Sequence, residues 1–529
     1  MTSFLSRCLL TRKAVVTKSH VDAVCLRLSS AAPMPTDARN PPTVNARPFQ
    51  EMPGPAGLYS LPVLGPLLQF HPFTDYKLET AHKLFDNLHD QHGRTFRVML
   101  NGWTVVTADP VGIEDVYLNE GQLPSRPDLT VYIHYCEKNE KEKGMGVVNG
   151  MEWRRLRTAL SRQLMRPASP HQYLPPQNAV ADDLIYRMKT HTYSPEEYRE
   201  ELFKFAAESI AVVAFNKRLG FLSDDLSTVS PENDEYLQQV KKFFSCLGKD
   251  GSNPPFYKIF PTKFYRDFEH AANVGYSYGR KEVKLALKTM EAQKKEGTFD
   301  PDAPNLILTL LSNPKISMGD ITALLQDILV AGTDSTAKNM ECFLFHLGRN
   351  RDVQRRLYEE VVEVVGHAQS GRPLEAGQME TMPYYRACQT ESFRKLYPVM
   401  LGSPRIMPRD SVIAGFHVPK GTCVLCNNRR LMMDEEYFQD PARYDPDRWR
   451  RDEHRKYISN IPKFANLPFG FGVRNCLGRR FALQEIWLGV VKIIQNFEVI
   501  VEDEDARTEI EYHTFIQPAK PIRFIFKPR

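Results

Sequence analysis

One ten-residue stretch constrains this chain more than any other. From Phe469 to Gly478 it reads Phe-Gly-Phe-Gly-Val-Arg-Asn-Cys-Leu-Gly. Glycines at 470, 472 and 478 allow a tight loop whose backbone can approach a flat ligand closely. Helical apolar spacing resumes directly afterwards, so a last helix is expected from near Cys476 to about Asn496. That sets Cys476 at a helix N-terminus, where unpaired amides and the positive dipole end favour a thiolate over a thiol. Arg474, two residues earlier, suits a carboxylate partner. The loop reads either as a thiolate poised to ligate iron or as a glycine-rich turn around a buried structural cysteine.

The rest of the chain narrows the class. It has 529 residues, of which 42% are hydrophobic and 25% charged, enough apolar surface to exclude disorder over most of its length. A net charge of +5 is small for this size, which argues against a nucleic-acid binder but leaves room for a local basic patch. Nine cysteines at irregular spacing speak against a secreted disulfide framework and for a reducing compartment. Cys423 and Cys426 form an isolated CxxC without a second ligand pair and read as strand residues. No apolar run reaches the 18 residues of a membrane span.

The first 34 residues carry Arg7, Arg12, Lys13, Lys18 and Arg27 against one acid, Asp22, with five serines between them. This is the composition of a mitochondrial transit peptide; Arg12 and Lys13 cut the apolar run too short for a secretory signal. Residues 33–66 are rich in proline and read as a linker. The expected division is therefore a transit segment and linker over 1–45 and a single domain over 46–529.

Within that domain, strands are expected at Thr95–Leu100 and Thr104–Ala108 around an Asn101-Gly102 turn. Helices are expected over most of 110–350, with loops near Asp250–Pro255 and Asp300–Pro304. The longest helical pattern is Ser317–Arg349, opened by a capping box of Ser317 and Asp320. Two further helices, Asp352–Val365 and Tyr384–Leu396, precede short strands at 405–406, 412–413 and 424–425. A proline-rich irregular stretch, Asp434–Pro468, leads to the cysteine loop, and strands follow at Phe497–Val501 and Ile522–Phe526. The fold class is mainly α with small β-sheets.

The cysteine loop resembles the haem-binding signature of the cytochrome P450 superfamily, with Phe469, Gly472, Arg474, Cys476 and Gly478 at its fixed positions. Other motifs resemble the family as well. Glu391-Ser392-Phe393-Arg394 is similar to its Glu-x-x-Arg pair, and Arg448 to the arginine that completes a structural triad with Glu391 and Arg394. Ala331-Gly332-Thr333-Asp334-Ser335-Thr336 is similar to its oxygen-activation motif, with Asp334 as the acid. Ser335 departs from the usual threonine; it keeps the hydroxyl but loses the methyl that restricts the rotamer. Thr336 is a second candidate for that role. Trp153 and Arg157, four apart on a helix, resemble the pair that holds a haem propionate, and Arg405 stands where a further propionate ligand is found.

The resemblance implies the cytochrome P450 fold, with haem b between the long central helix and the cysteine loop. Cys476 is the implied iron ligand, and Trp153, Arg157, Arg405, Phe469, Gly470, Arg474 and Gly478 the implied cofactor contacts. Bound thiolate pushes electron density onto iron and favours O–O cleavage. The implied activity is a monooxygenase acting on a lipophilic, sterol-like substrate near Val330, Ala331 and Val399–Leu401. The transit-like segment and Arg479-Arg480 after Gly478 resemble the mitochondrial class, whose electron donor is a small acidic, adrenodoxin-like ferredoxin. Arg386, Arg479 and Arg480 are the implied ferredoxin contacts. Thr390 replaces a second basic residue of that pattern, which shifts weight toward Lys395 and Arg480. Relatives of this class sit on the matrix face of the inner membrane. The segment Phe256–Phe268 reads equally as a shallow membrane contact or as a loop covering the core. A haem-thiolate isomerase or dehydratase would typically lack the acid–hydroxyl pair and the basic face, and a non-enzymatic haem carrier would consume no oxygen.

Overall fold

The architecture was determined as a computed structural model. The structure describes residues 46–224, 230–250, 255–300, 305–450, 461–502 and 509–529. The expected transit segment and the loops at 251–254 and 301–304 lie outside the described residues, as does part of the proline-rich stretch at 451–460. Val44–Arg529 form one unit.

The long helix runs unbroken over Met318–Arg349. Its capping box is closed at both ends: the Ser317 amide donates to Asp320 at 2.8 Å and the Asp320 amide to the Ser317 hydroxyl at 2.9 Å. Most of its residues are buried on every side, so it passes through the interior rather than over it. It packs against the helices Pro195–Phe215, Lys263–Glu296 and Arg479–Asn496. The glycine cost at Gly332 has a packing reason: a Cβ there would overlap the Ile210 side chain. The hydroxyls of Thr333 and Ser335 bond back to the carbonyls of Leu329 and Ala331, at 2.7 and 2.6 Å, without opening the helix.

Among the described residues, four small sheets accompany this helical body. Strands β1 (Thr95–Leu100), β2 (Gly102–Thr107), β3 (Arg405–Ile406) and β6 (Cys423–Cys426) form one sheet in the order β1-β2-β6-β3. The first pair is antiparallel through the expected turn, and β2 runs parallel to β6 with Thr104 opposite Cys423. Cys423 and Cys426 are thus strand residues. Two more hairpins pair β4 (Ser411–Ile413) with β5 (Phe416–Val418) and β8 (Ile510–His513) with β9 (Phe515–Pro518). Finally, β7 (Phe497–Val501) pairs with β10 (Phe524–Pro528). Strands β5, β8 and β9 were not expected from the sequence. The part of the proline-rich linker that is described, 46–66, is not wholly extended, since it holds 3-10 turns at Phe49–Glu51 and Gly57–Ser60.

Candidate haem-thiolate site

The cysteine loop is closed by its own backbone. The Cys476 amide donates to the Phe469 carbonyl at 2.8 Å, and Gly470 and Gly472 take φ values of 71° and 74° that disfavour other residues. A Cβ on Gly472 would also overlap the Glu120 carboxylate. The following helix begins at Arg479, later than the sequence suggested, and the Gly478 amide hydrogen-bonds the Cys476 sulfur. Burial nevertheless pushes the thiol up, against the pull of that amide and of Arg157, Arg126 and Arg479. A bound metal cation ionises such a thiol outright. Cys476 is the one exposed cysteine among the described residues, yet protein surrounds it. It therefore opens onto an interior space.

Four guanidinium groups converge beside the loop. Arg474 donates to the carbonyls of Pro124 and Val148, both at 2.6 Å, and to Asn149 Oδ1 at 2.5 Å, while stacking over Trp153 at 5.0 Å. Arg157, one turn after Trp153 on the helix Gly150–Leu164, donates to the Asn475 carbonyl at 2.8 Å and its Oδ1 at 2.6 Å. Arg126 reaches the Arg474 carbonyl at 3.1 Å. Arg405, on β3 and 0% exposed, donates to Glu120 at 2.5 Å and Ser403 Oγ at 2.7 Å. Glu120 is the one carboxylate ion-paired with any of the four among the described residues. Burial and mutual repulsion lower Arg126 to about 10 and Arg474 to about 9. The Nε of Arg126 and an Nη of Arg405 are buried without a partner. Orphaned donors on crowded cations call for anions, and the two propionates of haem b fit that demand. The sequence pointed to Trp153, Arg157, Arg405 and Arg474 but not to Arg126, Glu120, Asn149 or Asn475. Arg126 lies in a loop between Pro124 and Pro127 and carries no periodic signal.

A stripe of partly accessible residues, centred on exposed Ala331 and flanked by Asp327 and Ser335, interrupts the otherwise buried surface of the long helix. Ser335 is partly accessible. Asp334 is buried and pairs with Lys338 at 2.7 Å; burial pushes its carboxyl up and Lys338, His513 and Lys241 hold it down. Thr336 turns the other way, its hydroxyl 3.4 Å from Glu485 on the last helix. Of the three oxygen-activation candidates, Asp334 and Thr336 are buried and Ser335 is partly accessible. Val399, Met400 and Leu401 are half-buried.

The structural triad is assembled behind the loop. Glu391 accepts from Arg394 Nε at 2.8 Å and Nη2 at 2.7 Å, from Trp449 Nε1 at 2.8 Å and from the Asp445 amide at 2.9 Å; Arg448 lies 3.4 Å away. Phe393, on the same helix (Pro383–Lys395), meets Phe469 edge-on at 5.5 Å. Arg386 and Arg479 are exposed and Arg480 is half-buried; none has an ion pair among the described residues. Lys395 donates instead to the carbonyls of Pro441 and Ala442 and falls to about 8 through burial, so it is withdrawn from the surface role the sequence allowed it.

The fold and this site together define a haem-thiolate protein of the kind whose cysteine loop faces a long interior helix. Residues 55–526 match the cytochrome P450 family, and the chain belongs to it. It is 28% identical to "Probable cytochrome P450 49a1" of Drosophila melanogaster over 97% of this chain and 88% of that one. It is also 28% identical to the mitochondrial 1,25-dihydroxyvitamin D(3) 24-hydroxylase of Rattus norvegicus, covering 90% of this chain and 89% of that one. The mitochondrial cholesterol side-chain cleavage enzyme of Homo sapiens is again 28% identical, over 92% and 91%. The solved structure of retinoic acid-bound cyanobacterial CYP120A1 shares the fold, with a TM-score of 0.73 and 20% identity over 90% of this chain and 100% of that one. The chain is a cytochrome P450 monooxygenase of the mitochondrial class, and its cofactor is haem b.

Proposed function

We propose that this enzyme inserts one oxygen atom of dioxygen into a lipophilic, sterol-like substrate, with electrons from an acidic mitochondrial ferredoxin, on the matrix side of the inner membrane. Residues 46–529 form the single catalytic domain of this reading, and 1–45 its transit peptide and linker. Bound haem supplies the oxygen activation and the electron-transfer capacity. The chain's own residues divide the remaining work. Cys476 would ligate the iron through its thiolate, and Arg126, Arg157, Arg405 and Arg474 would hold and neutralise the propionates. Ser335 holds a hydroxyl toward the oxygen-binding side, and Asp334 stands behind it as a proton source kept in place by Lys338. Val399–Leu401 and the helix face around Ala331 exclude water from the substrate.

The observation that carries the ferredoxin reading is the trio Arg386, Arg479 and Arg480, cations without ion pairs among the described residues and close in sequence to the structural triad and Cys476. Such a patch steers an acidic partner. For the membrane contact, Phe256, Ile259 and Phe260 are exposed, Ile259 by 84%, while Tyr257, Tyr265 and Phe268 of the same segment are buried. The segment thus both covers the core and presents an apolar edge suited to a membrane interface. The test is reconstitution with a mitochondrial ferredoxin and its reductase, scored by product from a sterol panel. Support from a microsomal flavoprotein reductase alone would overturn the donor assignment.

A further inference from the structure

Of the four guanidiniums beside the cysteine loop, Arg405 is the one held by a carboxylate. Its planar fork has three nitrogens. Nε donates to Glu120 at 2.5 Å. Nη1 donates to Ser403 Oγ at 2.7 Å and to the Pro404 carbonyl at 3.0 Å. Nη2 is buried without a partner. The fork is rigid, so fixing two of its corners fixes where the third one points. Ser403 and Pro404 immediately precede Arg405 and hold it only against its own segment. Glu120 ends the helix Pro110–Asn119, 285 residues away in sequence, and ties the fork to the rest of the molecule.

Glu120 has a second contact. A Cβ added to Gly472 would lie 2.3 Å from Glu120 Oε1, so the carboxylate rests against the backbone of the cysteine loop. Its charge also acts on Arg126 and Arg474, which together with Arg405 hold its carboxyl down against the upward push of burial. Four cations against one anion leave an excess that two propionates do not fully cancel, and removing Glu120 widens it.

We propose that Glu120 is a positioning residue for the haem: it turns Arg405 so that Nη2 is left for a propionate, and its negative charge holds down the reduction potential of the iron. This rests on the reading of Arg405 as a propionate contact. The buried fork has no other donor to offer, and a nearby anion favours the ferric over the ferrous state.

The test measures transfer of haem from the ferric holoenzyme to excess apomyoglobin, with midpoint potential and thermal unfolding recorded on the same samples. Arg405→Gln should speed transfer about tenfold. Glu120→Ala should do the same, and the double variant should release haem no more than about twofold faster than either single one, because both changes remove one interaction. Should Glu120→Ala load too little haem, Glu120→Asp, one methylene short of Arg405 and still charged, takes its place in the cycle. Glu120→Gln keeps an oxygen for Arg405 Nε but loses the charge. Its transfer rate should stay within about threefold of wild type while its potential rises, by ~59 mV for a tenfold change in the ratio of ferrous to ferric protein. A merely structural carboxylate would move the unfolding temperature and not the potential. Effects of Glu120→Ala and Arg405→Gln that multiply, or an unmoved potential in Glu120→Gln, overturn the proposal. A silent Arg405→Gln overturns the propionate reading along with it. A silent Glu120→Ala beside an effective Arg405→Gln overturns this inference alone.

Discussion

The two sides of the site are built on opposite terms. Behind Cys476, Glu391 shares its two oxygens among Arg394, Trp449 and the Asp445 amide, with Arg448 close by. Arg394 spends its remaining donors on the carbonyls of Met432 and Arg443, both at 2.9 Å. On the substrate side, Ser335 bonds only back to its own helix, and Asp327 is held by amides without a counter-charge. The saturated side suits a ligand that never changes. The unsaturated side leaves hydrogen-bonding capacity for molecules that come and go.

Breaking the saturated side should cost most. Cys476→His should abolish the red-shifted Soret band of the reduced, CO-bound enzyme and all oxygen-dependent turnover; an unchanged spectrum would remove Cys476 as the ligand. Next, Glu391→Ala strands two buried guanidiniums and should lower stability by about 3–5 kcal/mol, seen as loss of haem-loaded protein in denaturant titrations.

A third change probes the contact between the two sides. Glu485 is buried against Thr336 and Gln177, both neutral, and burial raises it from 4.5 to about 8. Its folded value lies above its unfolded one, so the stability it confers is full below about pH 4.5 and is lost as pH rises through 8. Glu485→Gln should flatten the fall in unfolding free energy between pH 5 and 8, by up to several kcal/mol, since each tenfold weakening of an acid on folding is worth about 1.4 kcal/mol. An unaltered pH profile would show that Glu485 ionises freely. Smallest, and on the open side, Ser335→Thr should raise the product formed per dioxygen consumed by a few-fold at most, because the added methyl restricts the hydroxyl's rotamer. Coupling equal to wild type would show that the hydroxyl's freedom is immaterial.

Legibility followed the same division. The cysteine loop and the Glu391–Arg394 pair are local in sequence, where glycine content and three-residue spacing speak directly, and the Asn101-Gly102 turn and the capping box of Ser317 were readable for the same reason. The arginine cluster was only half legible. Arg126 and Glu120 come from an irregular segment near residue 120, and their meeting with Arg405 and Arg474 is made by tertiary packing alone. Strands β8 and β9 have four residues each, too few for a period-two pattern to stand out from its surroundings. Asp320 and Glu341 of the long helix meet Arg155 and Arg199 from two other helices, which spacing along one helix does not reveal, whereas Lys338 lies four residues after Asp334 on the same helix.

The crowding at Glu391 also limits how this chain can change over generations. Loss of the carboxylate at 391 removes the counter-charge of Arg394 and Arg448 and the acceptor of the Trp449 indole at once. Replacing either arginine first leaves the carboxylate buried with too little charge against it. Each one-step path therefore passes through an impaired intermediate, and the positions are epistatic: a substitution tolerable in the company of its partners is damaging alone.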